Sequence, residues 1–165
     1  MSRKKRIRQI LWSIVAVVML VLTGCSDKKE PEDKVLRVGV VTYTSDDPFI
    51  NALADELKEN LKSMETKDMK IMVSIKNGDD DQQDQDEIVE EMIDAGCDVL
   101  CVNLVDRTAP SQIIRLAKQN EIPVLFFNRE PVWEDLTQWE DLYYVGCDAE
   151  QSGIMQGETA AEYIS

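Results

Sequence analysis

The residues with the chemistry to meet a ligand fall in short polar stretches, each placed just after an apolar run. Tyr43, Asp46 and Asp47 follow the first run, Asn77 and Asp79 the second, and Asn103 and Asp106 the third. Asn128, Arg129 and Glu130 follow the fourth, and Asp148 follows the fifth. Carboxylates accept hydrogen bonds, while carboxamides both donate and accept. That set suits a neutral ligand dense in hydroxyl groups. Phe49, two residues after Asp47, has two open readings: a ring offered to the ligand's C–H groups, or core packing at helical spacing. Other chemistries are excluded by what is missing. With no histidine there is no Ser-His-Asp triad, no Cys-His pair and no His-bearing zinc site. Neither G-x-G-x-x-G after the first run nor G-x-x-x-x-G-K-[ST] occurs, so a dinucleotide or nucleoside triphosphate has no cradle.

Charge narrows the partners. The chain carries 18 Lys+Arg against 32 Asp+Glu, a formal net charge of −14. A nucleic-acid binder draws its affinity from Lys and Arg on phosphates, so no nucleic-acid partner is expected. The acidic run over 79–91 lacks the alternation and glycine position of an EF-hand and reads as the solvated face of a helix. At 44% hydrophobic over 165 residues, the chain suits one globular domain, or one and a fragment of another.

The elements that must position these residues alternate. Strands are expected over 35–41, 71–75, 99–105, 122–127 and 142–145 from their β-branched and apolar runs. Between the first two, Asp47 reads as an N-cap with Pro48 at the first helical position, and Phe49, Leu53, Leu57, Leu61 and Met64 recur at helical spacing. A second helix carries Ile88, Val89, Met92 and Ile93 and stops at Gly96. A third spans 110–118, and another begins at 152 and runs to 164. Strands apolar on both faces, each followed by a helix, predict an α/β fold: a doubly wound parallel sheet with helices on both sides. In such sheets ligands bind outside the carboxyl ends of the strands, the rim on which the polar stretches collect.

The N-terminus reads as an address. Residues 1–8 hold five basic residues and no acid, and 10–22 is an apolar run broken only by Ser13. That is the charge and length of a signal peptide, short of the ~20 apolar residues that span a bilayer. The run ends Leu22-Thr23-Gly24-Cys25, which resembles the lipobox of bacterial lipoproteins. The resemblance implies cleavage after residue 24, a diacylglycerol on Cys25, a polar tether over 25–34 and a lipid-anchored protein facing the extracytoplasmic side. Cys97 and Cys101 flank a strand, about 13 Å apart if extended, too far for a disulfide. They and Cys147 read as free thiols without metal-ligand spacing.

Four blocks then carry a family resemblance: 39–49 (GVVTYTSDDPF), 103–106 (NLVD), 126–131 (FFNREP) and 143–157 (YYVGCDAEQSGIMQG). In that order, with a similar region around 84–86, they resemble the galactose/glucose-binding proteins of bacterial ABC sugar uptake over residues 36–164. The resemblance implies a type I periplasmic-binding-protein N-terminal lobe over 35–131, with a crossover and the incomplete start of a second lobe over 132–165. It places Asp47 on a carboxylate that accepts from sugar hydroxyls, Asn103 on an amide ligand and Phe49 on a ring that stacks on the pyranose. It implies galactose or glucose as ligand and ABC permease subunits as partners, with no bond made or broken. Pro48 and Cys147 depart from the family pattern, at positions that carry no ligand role. The family's calcium loop has no match here, so no cofactor is expected, and the chain reads as a fragment or a truncated form. Three competitors are weighed against this reading. One is a truncated lobe without effective sugar binding. Another is a receiver-like phosphoacceptor using Asp46, Asp47 and Asp106, which lacks the lysine expected after the fifth strand. The last is the sensor lobe of a sugar-responsive regulator, which would need a basic headpiece where the signal sequence stands.

Overall fold

The computed structural model describes residues 34–164. The expected signal peptide over 1–24, the expected acylation site at Cys25 and nearly all of the expected tether lie outside the described residues. The elements run β1 (Lys34–Thr42), α1 (Pro48–Ser63), β2 (Met69–Asn77), α2 (Gln82–Asp94), β3 (Val99–Val102), α3 (Ser111–Gln119), β4 (Val124–Phe127), α4 (Trp133–Leu136), β5 (Leu142–Val145) and α5 (Ala149–Ile164). The strands form one sheet in the order β2-β1-β3-β4-β5, with every neighbouring pair parallel.

This order follows from which way each helix carries the chain. From β1 the chain steps outward through α1 to β2. It then returns through α2, past β1, to β3 and continues outward through α3 to β4. Because strand twist makes such crossovers right-handed, opposite directions of travel put helices on opposite faces. Alternate residues of each strand therefore enter different cores. Val38, Val40, Ile71, Cys101 and Phe127 pack on one face with Ala54, Leu57 and Leu61 of α1. Val41, Leu100, Val102, Val124 and Phe126 pack on the other with Val89, Met92 and Ile93 of α2 and Ile113, Ile114 and Ala117 of α3. Each fully buried Val, Leu, Ile or Phe side chain contributes about 1.5–3 kcal/mol relative to exposure. The chain turns back between β1 and β3, and that reversal opens a crevice at the carboxyl ends of the strands.

Local chemistry sets the ends of the helices. Asp47 and Asp81 cap α1 and α2, each accepting from two backbone N–H groups of the first turn. After α2, Gly96 takes a left-handed φ of 78°. Its N–H reaches Ile93 O at 2.9 Å, and Cys97 N–H reaches Met92 O at 3.1 Å, which closes the helix with a Schellman pair. Gly39 serves contact instead. A Cβ there would stand 2.7 Å from Met92 Sδ and 3.1 Å from Leu100 Cδ2, so α2 lies close against β1 only because this residue has no side chain.

The edge where the loops diverge is held by a buried amide. Gln85 of α2 is fully buried. Its Nε2 donates to Asn103 O at 3.0 Å and lies 3.5 Å from Thr42 O, and its Oε1 accepts from Val105 N–H at 3.0 Å. Gly78 makes room for it, since a Cβ there would approach Gln85 Cβ to 2.9 Å. One side chain thus satisfies the backbone at the exit of β3, where no strand pairs with it.

Four of the differences from the sequence reading have a physical cause in the structure. The third strand ends at Val102, not 105, because the Gln85 side chain takes the bond at Val105 that a neighbouring strand would otherwise provide. The last helix starts at Ala149, not 152, because Asp148 acts as its cap: its Oδ1 accepts Gln151 N–H and its carbonyl accepts Ser152 N–H. The loop after β4 contains the one-turn helix α4, too short to show periodicity, steadied by a bond from Gln138 Nε2 to the buried Asp135 Oδ1 at 2.7 Å. The strand 142–145, assigned through the resemblance to the start of a second lobe, pairs in parallel with β4 as the fifth strand of the same sheet. The division at residue 131 therefore does not separate it from the first lobe. Beyond it α5 buries none of its residues. Cys97, Cys101 and Cys147 are free thiols, and burial pushes Cys97 and Cys101 up to about 11, which leaves them protonated and unreactive near neutral pH.

Two substitutions test this packing by chemical denaturation. Gly39→Val should destabilise the fold by about 1–3 kcal/mol by forcing α2 away from β1. Gln85→Leu, close in size, should cost about 1–3 kcal/mol for each backbone partner left buried and unpaired. An unchanged midpoint in either variant contradicts the close approach or the bonding role, respectively.

Candidate functional site

Asp47 follows β1 on the carboxyl edge of the sheet, where it caps the first helix. Its backbone is extended (φ −94°, ψ 106°), and Pro48 follows at the start of the helix, where its missing N–H costs nothing. Asp47 Oδ1 accepts from Phe49 N–H at 2.9 Å and Ile50 N–H at 3.3 Å. Oδ2 accepts from the Tyr43 hydroxyl at 2.9 Å. The Arg129 guanidinium lies 3.7 Å from the centre of the Tyr43 ring. Its Nη1 donates to Leu104 O at 3.2 Å and Val105 O at 2.8 Å. The Tyr43 bond, followed by the two backbone N–H bonds and the Arg129 charge, holds the Asp47 carboxyl below the usual aspartate range. The same bond raises the Tyr43 phenol above its ordinary value. Asp47 is thus an ionised, oriented acceptor at neutral pH.

Phe49 lies outside both cores. It is 64% exposed, while Ile50 and Ala54 of the same helix are buried. Its ring is therefore free to meet a ligand beside Asp47.

Asn103 is placed differently. It is 0% exposed. Its N–H donates to Val41 O at 2.8 Å, and its Nδ2 donates to Phe127 O at 3.0 Å. Its Oδ1 is buried without a partner, a costly state for an acceptor. Asn103 and Asp47 share the carboxyl edge of the sheet. The Arg129 bonds tie the Tyr43–Asp47 pair to Leu104 and Val105, directly after Asn103. In this conformation, however, Asn103 presents no surface to a ligand.

The other rim residues mostly serve the loops. Asp106 Oδ1 accepts from Thr108 N–H at 2.8 Å and Thr108 Oγ1 at 2.7 Å, and these bonds lower its carboxyl pKa. Asn77 Oδ1 accepts from Asp79 N–H at 2.9 Å. Asn128 takes a left-handed φ of 63° and turns the chain so that Arg129 follows. Asp46 is exposed. Among the described residues, no three Asp, Glu, Cys or His side chains group to hold a metal. Asp106, Arg107, Asn128, Arg129, Glu130 and Tyr144 line a cavity of about 510 Å³ beyond β3 and β4.

Three organising residues escaped the sequence reading of roles: Tyr43, Arg129 and Gln85. For Tyr43 and Arg129 the sequence carries no pairing signal, because 86 residues separate partners that only the sheet brings together. Gln85 had a signal. It stands three and four residues before Ile88 and Val89, on the apolar phase of an otherwise acidic helix.

These observations agree with comparison to known proteins. A family model described as a periplasmic binding protein domain matches residues 38–165. The D-galactose/methyl-galactoside binding periplasmic protein MglB of Haemophilus influenzae is 35% identical over 126 residues, covering 76% of this chain and 37% of that protein. A solute-binding protein of an ABC transporter from Bacillus halodurans, solved with bound myo-inositol, aligns with a TM-score of 0.63 at 26% identity, over 82% of this chain and 44% of that one. One from Clostridium phytofermentans with bound β-D-glucose aligns at 0.66 and 24% identity, over 78% and 37%, and bears on the fold alone. The chain spans 37% of the length of the curated relatives it matches. Both the five-stranded parallel sheet and the matched residues lead to one assignment: the chain belongs to the periplasmic binding protein domain family.

Proposed function

We propose that this chain supplies one wall of the cleft of an extracytoplasmic, lipid-anchored solute-binding protein. The protein binds a hexose such as galactose or glucose and delivers it to an ABC permease. It is a carrier, with no bond made or broken. The observation that carries the reading is the Asp47 carboxylate, ionised and held by Tyr43 and backbone N–H groups at the carboxyl edge of the sheet, with the exposed Phe49 ring two residues away. An ionised acceptor makes the stronger class of hydrogen bond with a sugar hydroxyl, and an aromatic face suits the C–H side of a pyranose. Asn103 is the amide contact in this reading. Its unpaired Oδ1 gives a reason for the side chain to turn outward when a hydroxyl arrives. The Haemophilus influenzae relative, by its name a galactoside binder, supports the ligand class. Cys25 is the proposed acylation site, and its two flanking signals, basic residues and an apolar run, support export.

Energetics sets the expected strength. Each sugar hydrogen bond contributes about 0.5–1.5 kcal/mol net, more to a charged acceptor. Association costs at least about 4 kcal/mol. Two or three contacts from one wall barely exceed that cost, so the 165-residue chain should bind hexose with a Kd well above about 1 mM. Titration with D-galactose and D-glucose, followed by amide NMR, should shift Phe49, Ile50 and the Asn103 side chain. Asp47→Asn should remove those shifts. Submicromolar affinity would contradict the one-wall account, and shifts confined to other residues would contradict the site.

The pH dependence has a definite sign. The folded carboxyl pKa of Asp47 is depressed, so its contribution is complete above the ordinary aspartate value of about 3.9. It is lost only as pH falls through the lower folded value. The hexose-dependent shifts should therefore persist at pH 4 and fade below it. Loss of the response well above pH 4 would mean that another group carries the ligand.

A further inference from the structure

We infer that Tyr43 and Arg129 are positioning residues that leave Asp47 one acceptor direction for its ligand. This rests on the sugar-binding reading and deepens it. A carboxylate offers about four lone-pair sites, two on each oxygen. Both sites on Oδ1 are taken by Phe49 N–H and Ile50 N–H. One site on Oδ2 is taken by the Tyr43 hydroxyl. What remains is the second site of Oδ2. Asp47 therefore accepts one ligand hydroxyl, and the Tyr43 bond fixes the direction from which that hydroxyl must come.

Tyr43 can fix that direction only if its ring is itself held. Arg129 does this from across the crevice, with its guanidinium over the ring and Nη1 on the carbonyls of Leu104 and Val105. A planar guanidinium can stack on an aromatic face while its edge donates to carbonyls. A lysine ammonium keeps the charge but loses the planar geometry. The left-handed turn at Asn128 and the bond from Arg129 N–H to Phe127 O at 2.7 Å set where that side chain starts. The loops after β1, β3 and β4 are joined in this way through one cation, and the ligand meets an acceptor that is already oriented.

The test compares Tyr43→Phe, Arg129→Gln, Arg129→Lys and Asp47→Asn in the full chain, using three readouts. These are the Asp47 carboxyl titration by NMR without sugar, the hexose response, and the thermal midpoint. Tyr43→Phe should move the Asp47 titration upward and weaken hexose binding about tenfold, the scale of one hydrogen bond to a charged group, while the midpoint stays close to the parent's. Arg129→Gln should weaken binding similarly, and Arg129→Lys should recover only part of the loss. An unmoved Asp47 titration in Tyr43→Phe overturns the proposal whatever the sugar does. Hexose affinity unmoved in Tyr43→Phe and Arg129→Gln, when Asp47→Asn abolishes it, also overturns the proposal. A hexose response that survives Asp47→Asn instead overturns the binding reading, and the sugar-free titration then decides the positioning role separately.

Discussion

Parallel strands that separate at their carboxyl ends leave backbone groups with no strand to pair with, and this constraint shapes the whole rim of the crevice. Beyond Thr42 and Asn103 the chains from β1 and β3 part. An unpaired buried N–H or carbonyl costs far more than a typical hydrogen bond contributes. The molecule answers with side chains. Gln85 takes Asn103 O and Val105 N–H, Arg129 takes Leu104 O and Val105 O, and Asn103 takes Phe127 O. The loops are ordered because their backbone is satisfied, and ordered loops are what a binding site requires.

Asp47 shows how a structural requirement and a proposed functional one can share a residue. The start of α1 needs an acceptor for its free N–H groups, and the proposed hexose contact needs an ionised one. One carboxylate meets both, because capping consumes Oδ1 and leaves part of Oδ2 available. The helix N-terminus also favours the negative form, in keeping with its depressed pKa. Asn103 stands in a different condition. Its backbone and Nδ2 belong to the sheet edge, while its Oδ1 carries an unmet demand inside the protein.

Much of this was legible in the residues themselves. The Asp47-Pro48 start of α1, the Gly96 stop of α2 and the five apolar runs carry local signals: a cap, a fixed φ, a left-handed residue and β-branched content. The candidate acceptor and ring, Asp47 and Phe49, were visible for the same reason, since both lie on one short turn whose conformation is set locally. Less legible were features that depend on distant neighbours. β3 stops short of its apolar run because Gln85 substitutes for a strand. The helix α4 is a single turn, which leaves no periodicity to detect. β5 joins the first sheet through its bonds to β4, which no pattern within residues 142–145 encodes.

The sequence by itself determined the alternation of strands and helices and the placing of carboxylates and amides after the strands. Period, caps and turn residues act over a few positions and need no tertiary context. Only the tertiary structure decided that Asn103 is buried, that Phe49 is exposed, and that Arg129 lies over Tyr43, 86 residues away along the chain. Burial and stacking are relations between surfaces that meet after folding, and their partners come from different strands of the sheet.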